Sequence, residues 1–131
     1  MPVKVKIIRA TDFIQVSPNG DLDLDSSKRL LVEVAWAKRP PADFEVLLDL
    51  RNAEWEMSDT DIRVLAEELG NHGETFRDKV AILTAHGAAF DQAETFEEHA
   101  QSKGYQVEVF TDFEAAIAWL FPPEELNRGA L

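Results

Sequence analysis

Five residues, Val46, Leu47, Leu48, Asp49 and Leu50, constrain this chain more than any others. An aliphatic run broken by a single acid offers no polar face, which is the pattern of a strand buried on both sides of a sheet. A polar loop follows over residues 51–57, and Ser58 then stands where a helix N-cap belongs. Asp59 and Asp61 fall in the first turn, at the positive end of the helix dipole. Ile62, Leu65, Ala66 and Leu69 recur at i, i+3, i+4 and i+7, a single apolar stripe, and Gly70 is expected to close the helix. A buried strand leading through a short loop into a helix is half of a parallel βαβ unit. The polar loop lies at the carboxyl end of the strand, where open α/β sheets place their sites.

A chain of 131 residues that is 45% hydrophobic suits one domain with a proper core. The expected boundaries are a domain over residues 1–122 and a loosely held tail over 123–131, after the stop at Pro122 and Pro123. Thirteen basic against 25 acidic side chains give a formal net charge of −12. Phosphate backbones and anionic headgroups repel such a surface, which argues against nucleic acid and membrane surfaces as partners. The absence of cysteine excludes disulfides, thiolate nucleophiles and cysteine-based metal sites. No apolar run approaches the roughly 20 residues of a membrane span. The amino terminus alternates in strand fashion and lacks the apolar region of a signal peptide, so a soluble cytoplasmic protein is expected.

Val3, Val5 and Ile7 alternate with basic residues as an edge strand, and Phe13, Ile14 and Val16 form a second strand, hairpin-paired across residues 10–12. Pro18, Asn19, Gly20 and Asp21 read as a turn. Asp23, Asp25 and Ser26 compete to cap a helix carrying Leu30, Leu31, Val34 and Ala37, which ends before Pro40 and Pro41. Trp36 falls off that stripe. After a loop from Asn71, residues 79–84 read as another buried strand. Ala89, Ala93, Phe96 and Ala100 then mark a third helix, and Tyr105, Val107 and Val109 a half-exposed strand. Asp112 caps a last helix with Phe113, Ala116, Ile117 and Leu120 inward. The order is ββαβαβαβα, and helical crossovers between strands require a largely parallel sheet, mixed by the first hairpin. The loops after Leu50, Leu83 and Phe110 should therefore emerge on one edge, lining up Arg51, Trp55, Ser58, Thr84, His86, Thr111 and Asp112 as a rim.

Chemistry in these residues is sparse. Ser58 is either a cap or a phosphorylation switch, since a helix N-terminus favours added phosphate while Glu54, Glu56, Asp59 and Asp61 oppose it. His86 follows a buried strand without a partner for acid–base work, and His72 and His99 share no metal-ligand spacing with it. Asp21, Asp23 and Asp25 lack the glycine and distal glutamate of a calcium loop. There is no glycine-rich phosphate loop and no catalytic constellation, so neither an enzyme nor a cofactor is expected. Trp55 is either an exposed anchor in the rim loop or folded over the core.

The segment DLRNAEWEMSDTDIRVL resembles the central strand, loop, capping serine and helix of STAS domains, the superfamily of sulphate transporters and anti-sigma-factor antagonists. The ending VEVFTDFEAAIAWL resembles the SpoIIAA-like branch. The resemblance spans nearly the whole chain and implies a single STAS-type α/β domain. In the antagonists a partner kinase phosphorylates a serine or threonine in an Asp-Ser-Ser/Thr-Gly-like loop, and Ser58 falls at the matching position. Here Met57 replaces the preceding acid, Asp59 and Thr60 replace the small residues that follow, and the glycine is missing. The resemblance thus implies a non-enzymatic regulatory module that binds a protein partner through the rim around Trp55 and Ser58. It also leaves open a homodimer. The alternative it implies is a small-molecule or lipid-binding module of the SpoIIAA-like or Sec14 type, with an apolar ligand between the sheet and a helix.

Overall fold

A computed structural model describes residues 4–9, 13–37, 45–72 and 75–121. The tail expected over 123–131 and the hairpin turn over 10–12 lie outside the described residues.

Strand β3 (Glu45–Asp49) is central, as its composition requires. It pairs in parallel with β2 (Phe13–Leu22) on one side and with β5 (Val80–Leu83) on the other. β5 in turn pairs in parallel with β6 (Val107–Phe110), and β1 (Lys4–Arg9) pairs antiparallel with β2. The sheet order is β1-β2-β3-β5-β6, so the strands holding Leu47, Ile82 and Val107 run parallel, as expected from the helices between them.

The two-period of the strands divides the interior in two. Val46, Leu48 and Leu50, with Val80 and Ile82, face α1 (Leu24–Ala37), α2 (Asp59–Glu68) and α3 (Ala88–Ser102) in the larger core. Leu47, with Ala81 and Leu83, faces α4 (Phe113–Leu120) through Ala116 and Leu120. Each helix contributes its apolar stripe: Leu30, Leu31 and Val34 from α1, Ile62, Leu65 and Ala66 from α2, and Ala93, Phe96 and Ala100 from α3. A fully buried aliphatic such as Ile62 or Ile82 contributes about 1.5–3 kcal/mol by leaving water.

Four local expectations are corrected. Residues 18–21 do not turn, because β2 runs through them to Leu22. The β3 ladder ends at Val16 opposite Leu48, and a short strand β4 (Ala53–Trp55) pairs with the same side of β2 only from Gly20 onward. Pro18 occupies the gap between the two ladders, where a strand carries proline with least loss. The "loop" over residues 51–57 therefore contains a strand, and the order gains β4. Gly70 does not close α2. The helix tightens into a 3-10 turn over Leu69–His72, and Gly70 keeps negative φ beneath the Tyr105 hydroxyl. Phe113 points outward rather than into the core. Of the three residues competing to cap α1, Asp23 prevails: its Oδ1 accepts from the Ser26 N–H at 2.8 Å while its own N–H donates to Ser26 Oγ at 3.0 Å.

Replacing Leu48 or Ile82 with Ala should lower stability by about 2–5 kcal/mol. Replacing the exposed Glu98 with Ala should change it by less than about 0.5 kcal/mol. Urea denaturation of the three variants checks the ranking, and equal losses at all three would contradict the two-sided burial of the sheet.

Candidate functional site

The carboxyl ends of the parallel strands are tied together by their own backbones. The Leu50 N–H donates to the Leu83 carbonyl at 2.7 Å, and the Thr84 N–H to the Phe110 carbonyl at 2.9 Å. The segments after β3, β5 and β6 therefore leave the sheet side by side, which places Arg51, His86, Thr111 and Asp112 along one edge.

The firmest feature of that edge is an ion pair absent from the sequence expectation. Asp49, the last residue of β3, is 7% exposed. Its carboxylate accepts from Arg51 Nε at 2.9 Å and Nη2 at 2.8 Å, and from the Arg51 backbone N–H at 3.2 Å. The planar fork matches the carboxylate, and the contact is charge-assisted on both arms. These hydrogen bonds from Arg51 hold the Asp49 carboxyl below the usual carboxylate range, although burial pulls the other way. The Arg51 side chain remains 46% exposed, a cation fixed in direction at the edge.

The remaining rim residues differ in availability. His86 is exposed just before Gly87, whose φ of 92° suits glycine and starts α3 without a side-chain cap. Asp112 is exposed and caps α4, its Oδ2 accepting from the Ala115 N–H at 3.0 Å, while Thr111 is half-buried. Thr84 is buried, and its hydroxyl donates to the Ala85 carbonyl at 2.9 Å, so its side chain is turned away from solvent. Ser58 is exposed and works as a cap. Its hydroxyl accepts from the Asp61 N–H at 3.1 Å, and Asp61 Oδ2 accepts from the Ser58 N–H at 3.2 Å. This closes a reciprocal box with Asp in the third position.

Trp55 belongs to another environment. It ends β4 opposite Leu22, and its ring joins the wall of a cavity of about 30 Å³ between the sheet and α1, α2 and α3. Leu30, Leu48, Met57, Leu65 and Phe96 complete most of that wall, and the Ser27 hydroxyl nearby donates to Met57 Sδ at 3.6 Å. The indole Nε1 is buried without a hydrogen-bond partner among the described residues, as are His72 Nε2 and Gln92 Oε1. The cavity has room for about one water molecule, far below the ~300 Å³ at which small-molecule sites begin.

One further cluster escaped sequence reasoning. Asp21, Glu54 and Glu56 bring carboxylate oxygens within 4.8 Å of one another. The β2–β4 ladder places Asp21 opposite Glu54, so the only signal that could have found the cluster was β4 itself. Its hard oxygen donors are of the kind calcium or magnesium takes.

A scan against protein-family models and a search of curated proteins find no match. Solved structures match over nearly the full length. An uncharacterized protein of the DUF3478 family from Shewanella loihica PV-4, described as having a SpoIIAA-like fold, is 18% identical, with a TM-score of 0.58 over 90% of this chain and 93% of that one. An anti-sigma factor antagonist from Mycobacterium paratuberculosis is 12% identical, with a TM-score of 0.59 over 91% of this chain and 94% of that one. The anti-sigma factor antagonist SpoIIAA in its unphosphorylated form is also 12% identical, with a TM-score of 0.52 over 91% and 97%. The chain has the SpoIIAA-like α/β fold that the sequence resemblance implied. Among the described residues no helix is long and apolar enough to cross a membrane.

Removing the Arg51 fork should weaken the fold in a pH-dependent way. Asp49 has a folded-state pKa below its unfolded value, so its contribution is present above the unfolded pKa and lost as pH falls through the folded one. Arg51→Ala should cost about 1 kcal/mol at pH 7, discounted for the exposure of the guanidinium. The difference from the parent should shrink as acid protonates Asp49. Urea denaturation from neutral to strongly acidic pH checks this, and a difference that stays constant would contradict the pairing.

Proposed function

We propose that the chain is a non-enzymatic regulatory module that binds a protein partner through the edge formed after β3, β5 and β6, with Arg51, His86, Thr111 and Asp112 at its centre and Ser58 beside it. One observation carries this reading: the bidentate Asp49–Arg51 pair, which orients a half-exposed cation on that edge. A preset cation loses little freedom when it meets a carboxylate on a partner. The fold is shared with proteins described as anti-sigma factor antagonists, which supports a regulatory role of the same kind. The net charge of −12 repels polyanions and favours a protein partner over nucleic acid. The small-molecule or lipid alternative draws less support, because the apolar cavity holds about 30 Å³.

Within this reading Ser58 acts as a helix cap rather than a switch. Its hydroxyl and N–H are both engaged with Asp61, and a phosphate there would lie against that carboxylate. The dipole returns only about 0.3–1 kcal/mol against such repulsion. Ser58→Ala should lose about 1 kcal/mol, whereas Ser58→Asp keeps an acceptor and should fold about as well as the parent. Intact-mass analysis of the protein from its native host should find Ser58 unmodified. A stoichiometric phosphate would promote the kinase-switched reading instead.

The binding edge itself is tested by capture from source-cell extract with tagged parent, Arg51→Ala, His86→Ala and the distant Glu98→Ala. A partner retained by parent and Glu98→Ala but reduced at least tenfold by Arg51→Ala supports the edge. Equal capture by all four would remove it. A small molecule released from the purified parent under denaturing mass spectrometry would favour the alternative.

A further inference from the structure

Among the described residues strand β6 ends the sheet, so one of its sides has no neighbouring strand there. The direction of its backbone groups follows from its pairing. Gln106 and Phe110 turn toward β5, where their carbonyls accept from the Val80 and Thr84 N–H groups at 2.9 Å each. Alternation along a strand then turns the backbone groups of Val107 and Val109 outward. An outward row of this kind is a template on which another strand can pair.

Here two groups of that row, the Val109 N–H and the Val107 carbonyl, are occupied. Glu97 and Gln101, four residues apart and so on one face of α3, both reach over the edge. Glu97 Oε2 accepts from the Val109 N–H at 2.8 Å, and Gln101 Nε2 donates to the Val107 carbonyl at 2.8 Å. One side chain imitates the acceptor of an incoming strand and the other imitates the donor. We propose that Glu97 and Gln101 are a closure of the β6 edge, holding the donor and acceptor through which a second copy of this chain would otherwise extend the sheet. A second copy is the occupant at issue because identical edges meet with a two-fold axis and need no other component.

The closure is maintained against an opposing force. Partial burial pushes the Glu97 carboxyl above its ordinary range, and Glu108, Glu94 and Glu98 push it in the same direction. The Val109 N–H partly offsets this. A neutral side chain at position 97 would avoid the conflict, and the acid retained there has the edge amide as its hydrogen-bonding partner. An inward charge at a sheet edge also penalises any strand that would have to bury it.

Sedimentation velocity over a range of concentrations tests the closure on the full chain. The Glu97→Ala, Gln101→Ala double variant should self-associate at least tenfold more tightly than the parent, whatever state the parent itself adopts. Glu97→Gln keeps an oxygen for the Val109 N–H and should sediment like the parent. A folded double variant that sediments like the parent overturns the proposal, and so does a Glu97→Gln variant that associates like the double variant. Hydrogen exchange on the parent alone supplies a second reading if the double variant fails to fold. The Val109 amide should be protected at least tenfold relative to an unstructured amide, and exchange at the unprotected rate would also overturn the closure.

Discussion

Burial of β3 on both faces is the constraint from which the other placements follow. A strand with Val46, Leu48 and Leu50 on one side and Leu47 on the other cannot lie at an edge or face water. It needs a strand on each flank and helices above and below. Among the described residues three helices stand on the broader face and α4 alone on the other, so the two cores are unequal. The polar group that ends this strand, Asp49, then emerges at the carboxyl edge already shielded from water and requires a partner of opposite charge. Arg51, two residues on, is that partner. The same packing that makes the sheet thus produces the oriented cation at its edge.

Much of this was legible in the sequence because it rests on periodicity. The apolar stripe of α2 and the caps at Ser58 and Asp112 are local patterns, and each appears as read. What escaped depends on pairing between distant segments. Pro18, Asn19 and Gly20 have turn chemistry, yet the gap between the β3 and β4 ladders lets a strand pass through them. Ala53, Glu54 and Trp55 have no strand signature of their own and become a strand only because β2 extends past β3. Phe113 fits the inward positions of the apolar pattern, but it lies in the first turn of α4, beyond the part of the helix that Ala116 and Leu120 bury.

The rim was legible to the extent that parallel topology dictates where loops emerge. Side-chain availability was not. Thr84 follows a strand whose residues are all buried, and the neighbouring carbonyl of Ala85 takes its hydroxyl. Trp55, read as either anchor or cover, is turned by β4 into the wall of the apolar cavity. Among the described residues its indole N–H is buried and unpartnered, a condition that costs free energy. The ion pair of Asp49 and Arg51 was present in the sequence as i and i+2, a spacing that shares one face of a regular strand but leaves the two side chains nearly two residue rises apart. Only the end of the strand at Asp49 lets Arg51 turn back.

The acidic excess of this chain also takes on a different meaning once its members are located. Asp23, Asp61 and Asp112 satisfy N–H groups at helix starts. Asp49 aims a guanidinium, and Glu97 covers an edge amide. Glu45 accepts from the Lys79 N–H at 2.9 Å and joins β3 to the start of β5. Each of these acids supplies the acceptor for a backbone or side-chain N–H group, so the net charge of −12 arises partly from architecture. Charge repulsion at the surface is therefore a consequence of how the helices start and how the sheet ends, as well as a guide to partners. A substitution that neutralises one of these acids removes a hydrogen bond together with the charge, and its effect on binding is separable from its effect on folding only where the replacement keeps the acceptor oxygen.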